Sequence, residues 1–258
     1  MDFTGERAIE GKTPEGIMLS HILRYGFAAL YCANKEVLDI SCGTGYGSMI
    51  LLQKGHARSV QGRDISPEAI AYAQEHYSAE GLTFEVGDIM SLGDIRGSFD
   101  LIVCFETIEH VADPRAALEQ LAQSLRPGGI LIISTPNRLL SSPGVKSWEQ
   151  PWNRFHVHEF SWPEFAYLLK RRFQIKVLFG QCNFPVRWLT PFLAKRIRQS
   201  IEEDFITDKC RLRRVRPYEE AFYLIPVCEL KRPSLALIFK KRIKRLLSLK
   251  LFNRLDNG

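Results

Sequence analysis

Two clusters in this 258-residue chain could do chemistry, and each names the groups it would use. The first is a row of acids around a glycine-rich turn. In VLDISCGTGYGS (37–48), an apolar strand runs through Asp39 and Ser41 into Gly43 and Gly45 and then into a helix. Glycines there let the backbone approach a ligand closely, and the helix amino terminus can face it. Read as a dinucleotide fingerprint the turn is poor, because the third glycine of GxGxxG would fall on Ser48. Asp39 would also repel phosphates and suits a cationic ligand, an ammonium or a sulfonium. Asp64 ends the next strand run, placed to accept from both hydroxyls of a ribose. Asp88 ends the third, where a carboxylate can accept from an adenine amino group. Three acids at successive strand ends of one sheet sit where such sheets bind ligands.

The second cluster could move a proton or hold a cation. Glu106, Glu109 and His110 share one face if their segment is helical, and could bind Mg²⁺ or Mn²⁺ or orient His110 as a base. Downstream, His156 and His158 point to the same side if NRFHVHEF (153–160) is extended.

The elements that must position these residues read as α/β. Apolar runs at 37–40, 59–62, 82–86, 101–105 and 130–134 alternate with helical patterns, the signature of a parallel sheet wound with helices. Ser66 before Pro67 and Glu68, and Asp113 before Pro114, mark helix starts. Pro127, Gly128 and Gly129 are expected to stop the second of these helices. A long loop covers 136–160, and Ser161 with Glu164 predicts a capping box. Strands are expected at 173–179, 221–230 and 235–240, with a helical insertion at 183–216.

Composition narrows the class. With 45% hydrophobic and 25% charged residues the chain is globular, and no run approaches the roughly 18 apolar residues of a membrane span. Its polar start reads as no secretory signal, and six scattered cysteines suit a reducing cytosol, so a cytoplasmic location is expected. Residues 205–258 carry 14 Lys/Arg against 5 Asp/Glu, so the +6 of the whole chain leaves the first 204 residues at −3. That balance argues against a nucleic-acid partner. The tail KKRIKRLLSLKLFNRL (240–255) would, as a helix, suit either an anionic membrane surface or docking on protein.

Five motifs in order (VLDISCGTGYGS, GRDISPEAI, GDI, FDLIVCFETIEHVADP and LRPGGILIISTPN) resemble the class I S-adenosylmethionine-dependent methyltransferases. The resemblance implies a Rossmann-like, doubly wound, seven-stranded and mostly parallel sheet with an antiparallel last strand, the strand near 234–240 being inserted last. It implies a core over 36–182 with closing strands at 221–240, an amino-terminal helical lid over 1–35, a substrate-side insertion at 183–220 and a basic tail at 241–258. It implies that Asp39, Ser41, Gly43, Gly45, Asp64, Ile65, Asp88, Ile89 and Glu106 bind S-adenosylmethionine. The amino-terminal segment and NRFHVHEF resemble methyltransferases of polysaccharide and sugar clusters. By that likeness Arg7, His21, Arg24 and Tyr25 line the mouth, and His156 is the base, with His110 the other candidate. The Glu-x-x-Glu-His element is similar to the metal site of small-RNA ribose methyltransferases and of ubiquinone-pathway O-methyltransferases, which would make Glu106, Glu109, His110 and His158 ligands. Trp148, Trp152, Phe155, Trp162, Phe184 and Trp188 would roof a substrate pocket, and Arg187, Lys195, Arg196 and Arg198 could meet a phosphate. O-methylation of a sugar or glycan hydroxyl is the leading expectation. RNA ribose methylation, a ubiquinone-pathway-like O-methylation with a Glu-x-x-Glu-His metal site, and a silent cofactor-binding subunit that recruits a glycosyltransferase are the alternatives.

Overall fold

The structure is a computed structural model, and it describes residues 8–9, 11–183, 212–214 and 221–231. Helix α1 (Glu15–Ala29) precedes strands and helices that alternate except between β3 and β4: β1 (Glu36–Ile40), α2 (Tyr46–Gln53), β2 (Ser59–Asp64), α3 (Pro67–His76), β3 (Leu82–Val86), β4 (Phe99–Cys104), α4 (Pro114–Ser124) and β5 (Leu125–Ile133). Beyond them come β6 (Thr135–Pro136), α5 (Arg138–Ser141), α6 (Trp162–Leu169), β7 (Phe173–Asn183), β8 (Arg213–Arg214) and β9 (Ala221–Leu230).

These strands form one sheet in the order β3-β2-β1-β4-β5-β9-β7-β8, with β6 pairing on β9. Setting aside the two-residue β6 and β8 leaves the expected seven strands. The pairs from β3 through β5 are parallel, and β9 runs antiparallel to both β5 and β7. The inserted strand is therefore Ala221–Leu230 and not the 234–240 segment, which lies outside the described residues. Five consecutive residues of this strand, Leu224 to Cys228, are buried, so that part of it is covered on both faces.

Period-two alternation in the central strands sorts side chains to two cores. Leu38, Ile40, Ile102, Leu131 and Ile133 pack with Leu118 and Leu121 of α4 and Phe165 and Leu169 of α6. Val37, Leu101, Val103 and Ile132 pack with Tyr25 and Ala28 of α1 and Leu51 of α2. Asp39 belongs by parity to the second face, facing α1 and α2.

Local chemistry starts the helices as expected. The Ser66 hydroxyl accepts from Ala69 N at 3.2 Å, and Asp113 accepts from the amides of Arg115 and Ala116. Both halves of the capping box at Ser161 and Glu164 are made, and Arg138 Nη2 donates to both Glu164 oxygens at 2.9 Å. One stop signal acts differently from the expectation. Helix α4 ends at Ser124, before Pro127, and the chain enters β5 at once. The Pro-Gly-Gly run lies inside that strand, where the register against β4 shifts and Gly128 takes φ 81°.

Helices α1 and α2 touch so closely that Gly47 has no room for a side chain. A Cβ there would sit 2.1 Å from the Tyr25 ring, whereas one on exposed Gly26 of α1 would meet nothing within 4 Å. In urea denaturation, Gly47→Ala should lose about 2–3 kcal/mol through overpacking. Gly26→Ala should gain ~0.5–1 kcal/mol from reduced chain entropy. Equal effects of the two substitutions would contradict this packing.

Candidate functional site

Sheet order reverses direction at β1, whose neighbours are β2 and β4, and the cleft above their carboxyl ends is the site. A cavity of about 460 Å³ opens there. It is lined by Ser41, Cys42 and Gly43 after β1, Asp64 and Ile65 after β2, and Gly87, Asp88 and Ile89 after β3. Phe105, Glu106, Thr107 and His110 follow β4, while Ala8, His21, Tyr25, Tyr46 and Phe155 close the remaining walls. Four non-glycine residues among those described have positive φ, and two of them, Ser41 (62°) and Glu106 (49°), line this cavity. Such left-handed residues cost energy and concentrate at functional sites.

Asp64 ties the wall together. One carboxylate oxygen accepts from Gly43 N and the other from Ser66 N, both at 2.9 Å. The two bonds fix the orientation of the carboxylate at the cavity wall. Asp88 accepts from Met90 N at 2.9 Å, which fixes it as a turn cap while it still borders the cavity. Ile65 is 67% exposed on one side and Ile89 is buried on another, an apolar pair suited to a flat ring.

Two expected cofactor residues stand behind the wall instead. Asp39 is fully buried and is absent from the lining, its oxygens taken by the Tyr25 hydroxyl at 3.1 Å and the Ser48 hydroxyl at 2.6 Å. Gly45 is also absent. It begins α2 at φ 90°, and a Cβ there would meet Ala73 and Phe84 at 2.8 Å, so its glycine is required by packing. Helix α1 supplies His21 and Tyr25 to the cavity wall, and Tyr25 also packs in the core. His21 hydrogen-bonds the Tyr46 hydroxyl at 3.1 Å, and burial, then the Arg24 charge, hold its pKa well below the usual value. Arg24 itself is buried, donates to Gln181 Oε1 at 2.7 Å and packs on the Tyr223 ring. Arg7 lies outside the described residues.

The Glu-x-x-Glu-His element is a turn rather than a helix, with His110 N donating to Thr107 O at 3.0 Å. Glu106 accepts from the Ser134 hydroxyl. Glu109 is fully buried. Its Oε2 accepts from Thr135 at 3.1 Å, and its Oε1 has no hydrogen-bond partner among the described residues. Burial, then the nearby Glu106 charge, hold the Glu109 carboxyl well above the usual carboxylate range.

Nor is NRFHVHEF extended. A turn at 154–155 sends His156 inward and His158 away, and His158 Nε2 meets Ala112 O at 3.3 Å. The donor atoms that converge, within 4.8 Å of one another, are those of Glu109, His110 and His156. This corrects the expected metal set of Glu106, Glu109, His110 and His158. His110 lines the cavity, and His156 stands behind it with ring centroids 4.9 Å apart. The sequence reading passed over Glu159, whose carboxylate meets His156 Nδ1 at 2.6 Å. Its signal was the spacing of three from His156, ambiguous in a segment taken as a strand. Of the expected aromatic roof, Phe155 lines the cavity, Trp148 is exposed and Trp162 packs against the core. Phe184, Trp188, Arg187, Lys195, Arg196, Arg198 and the 240–255 tail lie outside the described residues. No described helix is long and apolar enough to cross a membrane.

Residues 32–172 match a family model described as a methyltransferase domain. A Mycolicibacterium smegmatis protein named a "Probable S-adenosylmethionine-dependent methyltransferase" is 33% identical over 171 residues, covering 66% of this chain and 64% of that protein. An Idiomarina loihiensis "Ubiquinone biosynthesis O-methyltransferase" is 36% identical over 117 residues, 44% of this chain and 45% of its own. The chain thus matches less than two thirds of the length of these relatives. A solved S-adenosylmethionine-dependent methyltransferase from Mesorhizobium loti shares the fold at TM-score 0.56 and 20% identity, covering 80% of this chain and 97% of that one. A Pyrococcus horikoshii structure does so at TM-score 0.60 and 18% identity, covering 89% and 96%. The chain belongs to the methyltransferase domain family.

Asp39 makes the wall sensitive to pH. Burial pushes its carboxyl from the ordinary 3.8 up to about 7, with the Ser48 and Tyr25 hydrogen bonds pulling it back and the Asp64 charge adding to the rise. A raised folded pKa gives stability that is full below the ordinary value and is lost as pH climbs through the folded one. Relative to Asp39→Asn, the melting temperature of the wild type should therefore fall between pH 3.8 and about 7. A difference that stays constant across that window would contradict it.

Proposed function

We propose that this member of the methyltransferase domain family transfers the methyl group of S-adenosylmethionine to a hydroxyl of a sugar, glycan or related small-molecule acceptor. The observation that carries the reading is a single cavity with nucleoside-type partners at one end and an imidazole at the other. Asp64 would hold the ribose hydroxyls. Asp88, Ile65 and Ile89 would hold the adenine, and Ser41 and Gly43 would approach the amino-acid part through backbone. The volume, about 460 Å³, lies within the range of ordinary cofactor pockets. The names of the relatives support the same donor.

Methyl transfer from a sulfonium is an in-line displacement, so alignment of nucleophile, methyl and sulfur does much of the work. An alcohol also has to lose its proton. His110 Nδ1 lies 3.0 Å from Phe155 O, and a carbonyl only accepts, so Nδ1 carries the hydrogen and Nε2 the lone pair. His110 rather than His156 is the base in this reading, because His110 borders the cavity. The exposed rings of Trp148, Trp152 and Phe155 on the adjoining loop favour a sugar-like acceptor, since aromatic faces cover ring carbons well.

A second reading adds a divalent cation, favoured by the unpartnered buried oxygen of Glu109. Glu109, His110 and His156 would hold it, and two imidazoles with one carboxylate suit Mn²⁺ better than Mg²⁺, which prefers oxygen ligands. Its chemistry would be to polarise the acceptor hydroxyl.

Both readings are tested by labelled methyl transfer to a panel of monosaccharides, uronic acids, nucleotide sugars, catechols and short RNA. Transfer to a hydroxylated sugar is expected, reduced roughly 100-fold or more in His110→Ala. Loss on chelation and recovery with Mn²⁺ but not Mg²⁺ would establish the cation. Activity indifferent to chelator would leave His110 as the base unaided. Exclusive transfer to RNA, or full activity in His110→Ala, would contradict the proposal.

A further inference from the structure

His156 is held by more than packing. Its Nδ1 lies 2.6 Å from Glu159 Oε1, and Glu159 is 3% exposed. The second carboxylate oxygen lies 2.5 Å from the Ser141 hydroxyl, which also faces Asn137 O at 3.0 Å. An ionised carboxylate offers no hydrogen, so Nδ1 must donate. On the far side of the ring, Nε2 faces the Asn153 amide nitrogen at 3.0 Å, and that group only donates. Two contacts from different residues therefore demand the same tautomer, with hydrogen on Nδ1 and a lone pair on Nε2. The backbone is fixed as well, since His156 N donates to Asn153 O at 3.1 Å and Gln150 donates to His156 O at 2.9 Å.

We propose that Glu159, anchored by Ser141, is a positioning residue that locks His156 in the Nδ1–H tautomer and keeps its Nε2 an acceptor beside His110. This rests on the methyl-transfer reading of the same site. A buried carboxylate behind an imidazole is a common way to set tautomer and ring orientation. The pair gives the cavity-lining His110 a neighbour that can receive a hydrogen bond once His110 Nε2 has taken the acceptor's proton, and that cannot offer a competing N–H. Ser141 sits on α5 directly after β6, so the carboxylate is referenced to the sheet rather than to the 142–160 loop alone.

The test is nitrogen-15 imidazole spectroscopy of the full chain, with the His156 signals assigned by their loss in His156→Gln. The wild type should show the Nδ1–H form. Glu159→Leu, close in volume but without an acceptor, should shift His156 toward Nε2–H and lower kcat roughly 100-fold with the acceptor found above. KM and affinity for S-adenosylhomocysteine should change less than about twofold. Glu159→Gln keeps a carbonyl acceptor and should restore the tautomer and most of kcat. A His156 that remains Nδ1–H in Glu159→Leu, or an unchanged kcat, would overturn the proposal. Should Glu159→Leu not fold, Ser141→Ala decides: a partial tautomer shift supports the anchoring, and an unchanged spectrum overturns it. Failure of the methyl-transfer reading would appear separately, as wild-type protein that binds no S-adenosylhomocysteine while its His156 spectrum is still readable.

Discussion

The Asp64 carboxylate is the point on which the site depends. Its two oxygens take backbone hydrogens from Gly43 and from Ser66, and so join the turn after β1 to the start of α3. A charged acceptor in such bonds contributes more than a neutral one, and two of them aim the group as well as bind it. The glycine turn can then stay in its left-handed conformation, with Ser41 and Gly43 presented to the cavity. Without that tie, the amides after β1 and the cap of α3 would each need another acceptor.

Behind this wall a second carboxylate does a different task. Asp39 binds the Tyr25 and Ser48 hydroxyls and thereby connects β1 to α1 and α2. Tyr25 lies edge-on to Tyr46 and Phe105 and flat against the space that Gly47 leaves open. The Thr44 hydroxyl donates to Ala8 O, so the chain before α1 is also fastened to the glycine turn. The cavity is thus closed on one side by a helix whose seat is polar and titratable, and on the other by loops that carry the histidines.

How much of this was legible depended on the range of the interaction. Strand runs and caps are local, and Ser66, Asp113 and Ser161 acted as their side chains required. The site acids at strand ends were legible because topology, not detailed packing, places them. Asp39 and Gly45 do not border the cavity, and no local signal shows this because burial is a tertiary property: the same DISCGTG string fits a carboxylate in the pocket or one behind it. The histidine cluster differs for another reason. The expected set needs a helix at 106–110 and an extended 153–160, and both segments are turns, so Glu109 and His110 keep their places while His156 stands where Glu106 and His158 were expected. The inserted strand was misplaced because two apolar runs, 221–230 and 235–240, compete for one slot, and only long-range pairing chooses between them.

Calorimetric titration with S-adenosylhomocysteine and, in parallel, with NAD asks whether the cavity is built for the nucleoside of S-adenosylmethionine. The wild type should bind S-adenosylhomocysteine at micromolar strength, at least about tenfold more weakly in Asp64→Ala where the charged hydrogen bonds are gone, and should not bind NAD. Wild-type protein that ignores S-adenosylhomocysteine, or an Asp64→Ala variant that binds it as tightly, would show that the cavity serves another ligand.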